Sequence, residues 1–308
     1  MPKIYGQVRE PIPGQKHHWF PKGMAKAWCG ADGRVGRTNS RGHSKRLHPS
    51  AIGYTPDGHN VFFEGGSLWD STFEPQFDAA DNAFPKVVRW LGDIECQHPR
   101  DQRVKGTNVL EEQRSPFAEC LASLMVRSPR LRYLSEKWIA ESQVRDFGFT
   151  APHNVRVTAS GNLARCQEAF SRDIRGGGKL AFLLADKESF LFGDGFMTNV
   201  HPSPDRVLHP MAMVAMTPKV AVLWFSPQSY PLHPAGVSIM LSSEEVRSFN
   251  EIVQVYSKDN LFHAGVEPEL HKNFPTCQHY IVTSNGANHR TPLVDGWMAE
   301  ALAVWGPG

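Results

Sequence analysis

Six residues, Lys16-His17-His18-Trp19-Phe20-Pro21, gather two adjacent imidazoles, an aromatic pair and a proline. A neutral imidazole takes a proton from water or a hydroxyl near neutral pH, and it is the commonest nitrogen ligand of divalent metals. Neighbouring side chains on an extended segment point to opposite faces, so only one of His17 and His18 can face a given pocket. If one of them does chemistry, the other packs or orients it. His43, His48 and His59 follow, so five of the 14 histidines fall in the first 60 residues. The plain alternative is that histidines scattered through a segment rich in Gly and Pro are surface or hydrogen-bonding groups.

Other residue types point the same way or remain neutral. Arg34, Arg37, Arg41, Lys45 and Arg46 form a basic cluster around His43 that can meet phosphates, or that simply solvates a loop. Trp19, Trp28 and Trp69 can stack bases, although tryptophans near short strands more often cover a small core. Glu74, Asp78 and Asp81 can complete a metal site, or act as acids at the positive end of a helix. Arg127 stands where one helix ends and can hold its last carbonyls, and Asn250 lies near a buried helix face, where its amide must find hydrogen bonds, most often in an adjoining loop. Gly176-Gly177-Gly178-Lys179 lacks the spacing of a phosphate loop and leads into a strand, so it is set aside.

The elements that must position these groups are legible from pattern. From Gly30 to Gly66 turn signals separate short runs, Arg34 to Thr38 and Asn60 to Phe63, which predicts strands and hairpins. Lys22 to Trp28 reads as a helix. Asp78 to Gly92 has helical spacing, with the helix proper beginning near Pro85. Ser115 and Pro116 predict a helix start, with Phe117, Cys120, Leu121, Leu124 and Met125 on one face; Ser128 and Pro129 predict a break and a new cap. Asn162 to Ile174 is helical. Leu180 to Leu184, Ser189 to Phe192, Met211 to Met216 and Val220 to Phe225 are strand-length runs of a mostly antiparallel sheet. Ser242 with Glu245 is a capping box, and Trp297, Leu302 and Trp305 suit a closing amphipathic helix. The prediction is an α+β fold: a His-rich hairpin segment over 1–75, then an α+β body over 76–308 with a helical middle and a C-terminal sheet, the two forming one compact unit.

Composition narrows the setting. The chain has 308 residues, 33 basic against 31 acidic, and five cysteines. Such a balance advertises no bulk field for nucleic acid or an anionic membrane, so any nucleic-acid site must be a local patch. The cysteines are widely spaced with no Cys-x-x-Cys, as expected of reduced thiols. No apolar run reaches the ~18 residues of a membrane span, and Met1 to Gln15 lacks a signal-peptide core. A cytoplasmic protein is expected.

His18, Pro21 and Trp28, then Arg127-Ser128-Pro129, Phe196-Met197-Thr198 with Pro202, Met216-Thr217-Pro218 and Asn250 occur in the order of a widespread microbial family known as domain of unknown function 4238. The chain resembles it over nearly its whole length, although Val200 and His201 stand where the family pattern places aspartate and asparagine; Asp194 or Asp205 would have to substitute. His17-His18-x-x-Pro21-Lys22 also resembles the opening of toxins among the histidine-metal finger nucleases. That likeness implies His18 as the base that activates water, beside a divalent ion, magnesium, manganese or zinc, with His43, His48, His59 or Asn60 as its candidate ligands. The expectation is therefore a metal-dependent phosphodiesterase or nuclease of microbial defence, with His18, His17, Arg127 and Asn250 at its site. Two other readings stand beside it: a non-enzymatic binding or regulatory module, and a hydrolase or transferase centred on Thr198, His201 and Asn250.

Overall fold

The computed structural model describes residues 16–56, 60–61, 71–72, 74–150, 152–198, 210–226, 235–272, 274 and 292–304. In chain order the elements are strand β1 (Lys16–His18), helix α1 (Lys22–Ala25) with a 3-10 turn over Lys26–Trp28, and strands β2 (Val35–Asn39), β3 (Ser44–Leu47), β4 (Tyr54–Pro56), β5 (Asn60–Val61) and β6 (Ser71–Thr72). Helix α2 (Asp78–Gln97), strand β7 (Val104–Thr107) and helices α3 (Glu111–Arg127), α4 (Pro129–Phe147) and α5 (Pro152–Gly176) make the middle. Strands β8 (Lys179–Ala185), β9 (Phe192–Gly193), β10 (Met197–Thr198), β11 (Met211–Ala215), β12 (Val220–Phe225) and β13 (Gly236–Leu241), helix α6 (Ser243–Tyr256), strand β14 (Asn260–His263) and helix α7 (Pro292–Val304) complete it. The fold is α+β, as the sequence predicts.

The main sheet runs β10-β11-β12-β8-β13-β7 and is antiparallel except where β13 meets β8. Its strands β8, β11 and β12 are apolar at nearly every position and are buried throughout, which requires cover on both faces. A second sheet, β3-β2-β14-β9, draws two strands from the N-terminal segment and two from the body. The hairpin segment and the body are thereby stitched by backbone hydrogen bonds, and one continuous apolar core extends from Trp19 to Ala301.

Several helix boundaries differ from the expectation. Helix α2 begins at Asp78 and passes through Pro85, because the apolar stripe of Phe84, Val87 and Leu91 is buried on both sides of the proline and packing overrides its local cost. Helix α3 begins at Glu111 rather than at Ser115; the Gln113 side chain accepts from the Leu110 N–H at 3.1 Å, and two glutamates occupy the first turn. The break at Ser128 is present, with Pro129 as first residue of α4, but the Ser128 hydroxyl makes no cap. It donates to the Asp194 carbonyl at 2.9 Å. The Ser242–Glu245 capping box is formed as predicted. Trp19 and Trp28 are buried in the core, which removes them as base-stacking surfaces; Trp69 and Trp305 lie outside the described residues. Among the described residues no helix is long and apolar enough to cross a membrane.

Candidate functional site around His18

Strand β1 pairs antiparallel with β4, placing His18 opposite Tyr54 and Lys16 opposite Pro56. Alternation then puts Lys16, His18 and Tyr54 on one face and His17 on the other. His17 is buried, His18 half-buried and Lys16 exposed, so the His18 face is the outward one. The Tyr54 ring stands edge-on to His18, centroids 5.8 Å apart, and the Lys16 ammonium lies 4.8 Å from its centre. Gly53 fixes this ribbon. Its carbonyl accepts from the N–H groups of Trp19 and Phe20 at 2.8 and 2.9 Å. Its φ is +59°, and an added Cβ would fall 2.2 Å from the Phe20 Cβ, so the position admits only glycine.

The His18 Nδ1 is buried and has no hydrogen-bond partner among the described residues. Burial first, and then the Lys22 cation, lower the pKa of this ring below its ordinary 6.5, while the Ile52 backbone and Glu74 pull the other way. The imidazole is therefore neutral at pH 7 and able to accept a proton.

Arg127 holds the strand from behind. Its guanidinium donates to the carbonyl of His18 at 3.0 Å and to that of Phe77 at 3.5 Å, pairs with Asp81 at 2.9 Å, and lies 4.1 Å over the Phe77 ring. The expected role at the carbonyls ending α3 is replaced by a tie between β1 and the start of α2. Asn250 likewise clamps a loop: its Oδ1 accepts from the Leu191 N–H at 2.8 Å and its Nδ2 donates to the Ser189 carbonyl at 2.9 Å. Thr198 donates to the Met211 carbonyl at 3.1 Å. His201 and Asp205 lie outside the described residues.

Sequence reasoning named Asp194 only as a substitute carboxylate. The structure buries it completely and surrounds its oxygens with the N–H groups of Lys258, Asp259 and Asn260 at 2.6 to 2.9 Å and the Asn260 amide at 3.3 Å. These donors favour the carboxylate, yet burial outweighs them and lifts its pKa to about 6. Asp194 thus anchors the turn between α6 and β14 and faces no solvent. Because its folded pKa lies above the unfolded one, this group contributes most stability at low pH and loses it as pH rises from about 4 to about 6. Asp194→Ala strands three backbone donors and is expected to cost about 2–4 kcal/mol. Urea unfolding of both proteins between pH 4 and 7 tests this: the wild type should show that slope and the variant should lack it.

Among the described residues, His43 and His48 are the expected metal ligands whose side chains are placed, and they lie in separate turns. His43 is exposed in the β2–β3 turn, where its N–H donates to the Asn39 side chain at 3.0 Å. His48 is exposed, and its Nδ1 engages the Ser50 hydroxyl at 2.7 Å and accepts from the Ser50 N–H at 3.3 Å, capping the turn that leads to β4. Asn60 lies in β5 and His59 outside the described residues. Among the described residues no three His, Cys, Asp or Glu side chains converge as a metal centre would require.

The basic cluster divides. Arg46 pairs with Asp32 at 2.5 and 2.6 Å and also donates to the Arg34 carbonyl at 2.8 Å; the Arg46 guanidinium holds the Asp32 carboxyl down at about 2. Arg34, Arg37, Arg41 and Lys45 have no acidic partner among the described residues. Gly36 is dictated by the far side of this sheet, where an added Cβ would fall 2.2 Å from the His263 ring. That ring is bonded between Thr38 and the Gly265 carbonyl.

No family model, no curated protein and no solved structure matches the chain.

Proposed function

We propose that this chain is a phosphodiesterase acting on nucleic acid, with His18 as general base. The observation that supports the reading best is the neutral, half-buried His18 imidazole, whose buried Nδ1 has no partner among the described residues and so is left to a water or ligand that enters beside it. In the reaction the imidazole takes a proton from a water that has entered beside Nδ1, the water oxygen attacks phosphorus, and the bond from phosphorus to the leaving oxygen breaks; that oxygen takes a proton from solvent. Lys22, close enough to depress the His18 pKa, supplies positive charge beside the anionic phosphate. Arg127 positions His18 through its carbonyl. The unpaired hairpin cations supply a local patch for the polyanion. No step is routed through a metal; magnesium, manganese or zinc enters the proposal as a component to be tested. The four described cysteines are free thiols, in keeping with a cytoplasmic setting.

The decisive assay joins metal content of purified protein with incubation of plasmid, single-stranded DNA and RNA, with each divalent ion and with chelator. Cleavage by the wild type that vanishes in folded His18→Ala supports the reading. Absence of cleavage in every condition, with His18→Ala merely less stable, overturns it. That outcome would favour a binding or regulatory module, a reading supported by the way Arg127, Ser128 and Asn250 all hold backbone groups.

A further inference from the structure

One row of side chains crosses the second sheet from core to solvent. The pairing aligns Phe192 of β9 with Phe262 of β14, Phe262 with Arg37 of β2, and Arg37 with Lys45 of β3, so all four point to one face. Phe20 covers the first two, with ring centroids 4.4 Å from Phe192 and 4.9 Å from Phe262, and Trp19 lies 5.5 Å from Phe262. The cover is the continuation of β1, so His18 immediately precedes the residues that roof the aromatic half of the row. Beyond them the row changes to two cations.

Arg37 and Lys45 stand directly opposite each other, an arrangement of like charges that destabilises a ladder unless something neutralises it. Among the described residues no carboxylate does so. The Arg37 Nε is buried and has no partner there, while Lys45 is exposed. The neighbouring Arg46, by contrast, is saturated by Asp32. On the outward face of the β1–β4 ribbon, half-buried Tyr54 stands between Lys16 and His18. Two unneutralised cations thus continue the row that Trp19 and Phe20 roof, and the residue before Trp19 is the candidate base, paired with Tyr54.

We infer that Arg37 and Lys45 grip the sugar-phosphate backbone of a single-stranded nucleic acid whose unpaired base stacks on Tyr54, which sets the scissile phosphate beside His18. Stacking needs bases freed from a duplex, and backbone contacts carry no sequence preference. The inference rests on the proposed activity for its purpose, but the grip is a binding property measurable without turnover.

The test is fluorescence anisotropy of full-length protein with a labelled mixed-sequence oligonucleotide, single-stranded or annealed to its complement, across a salt series. Each cation replaced, Arg37→Gln or Lys45→Gln, is expected to reduce the single-strand salt slope by about 0.7 and to weaken binding about tenfold at low salt. Tyr54→Leu is expected to weaken single-strand binding about tenfold with the slope unchanged. Arg46→Gln, which removes an already paired cation, should have the smallest effect. Circular dichroism and thermal melts establish that each variant folds. Equal or tighter binding of duplex, or single-strand binding indifferent to Arg37 and Lys45, overturns the inference. Wild-type binding with these dependences but without cleavage would retain the grip and remove the hydrolase; cleavage with binding indifferent to these cations would do the reverse.

Discussion

Arg127→Ala is expected to lower the unfolding free energy by about 2–4 kcal/mol, from backbone acceptors left without a donor and a void in the packing. The Arg127 side chain is 0% exposed while Asp81 is 42% exposed, so Asp81 recovers water when its partner is lost. The cost falls instead on the carbonyls of His18 and Phe77, both left without this donor, and on the void against the Phe77 ring. Arg127→Lys should recover less than half of the loss, since a single ammonium cannot reproduce the planar fork that reaches two carbonyls and a carboxylate at once. Urea unfolding at constant m reports the change. A loss below about 1 kcal/mol for alanine would show that β1 and α2 are joined chiefly by the surrounding aromatic packing.

His18→Gln is expected to have the opposite profile: turnover falls by about 10²- to 10⁴-fold, the contribution of a positioned general base, while the melting temperature changes little. Its ring is half-buried, Nδ1 bonds nothing among the described residues, and the glutamine amide can keep the bond to the Ile52 backbone, so little internal contact is forfeited. His17→Gln should instead destabilise the protein, because His17 is on the buried face of the same ribbon. Melts and cleavage rates of the two variants side by side separate a catalytic histidine from a packing one. Equal loss of stability in both would contradict the assignment of faces.

Local pattern foretold what depended on local physics. The capping box at Ser242, the strand runs of β8, β11 and β12, and the break at Ser128 all formed where short-range chemistry is strong. The starts of α2 and α3 lie earlier than Pro85 and Pro116 suggest: burial of Phe84, Val87 and Leu91 carries α2 through its proline, while the Gln113 cap and two first-turn glutamates start α3 at Glu111. Strand β14 supplies the bridge between the N-terminal hairpin and the body, and its four residues gave no signal apart from that partnership. At the site, the opposite facing of His17 and His18 followed from alternation alone, whereas which of the two is buried did not. Which backbone groups Arg127 would reach did not, since His18 is separated from it by 109 positions and only the folded chain brings them together. Asp194 was noticed as a carboxylate, but its burial under three backbone donors depends on a turn 64 to 66 residues away.

The pH dependence of cleavage is the most direct test of the central claim that His18 acts as a neutral base. Burial and Lys22 lower its pKa, so the rate on a single-stranded substrate should rise with pH through one inflection below 6.5 and be flat from about pH 7 to 8. Lys22→Gln, which removes the second of those causes, should move the inflection upward. An inflection above 6.5, or one that persists unchanged in the residual activity of His18→Gln, would contradict the assignment of His18 as the base.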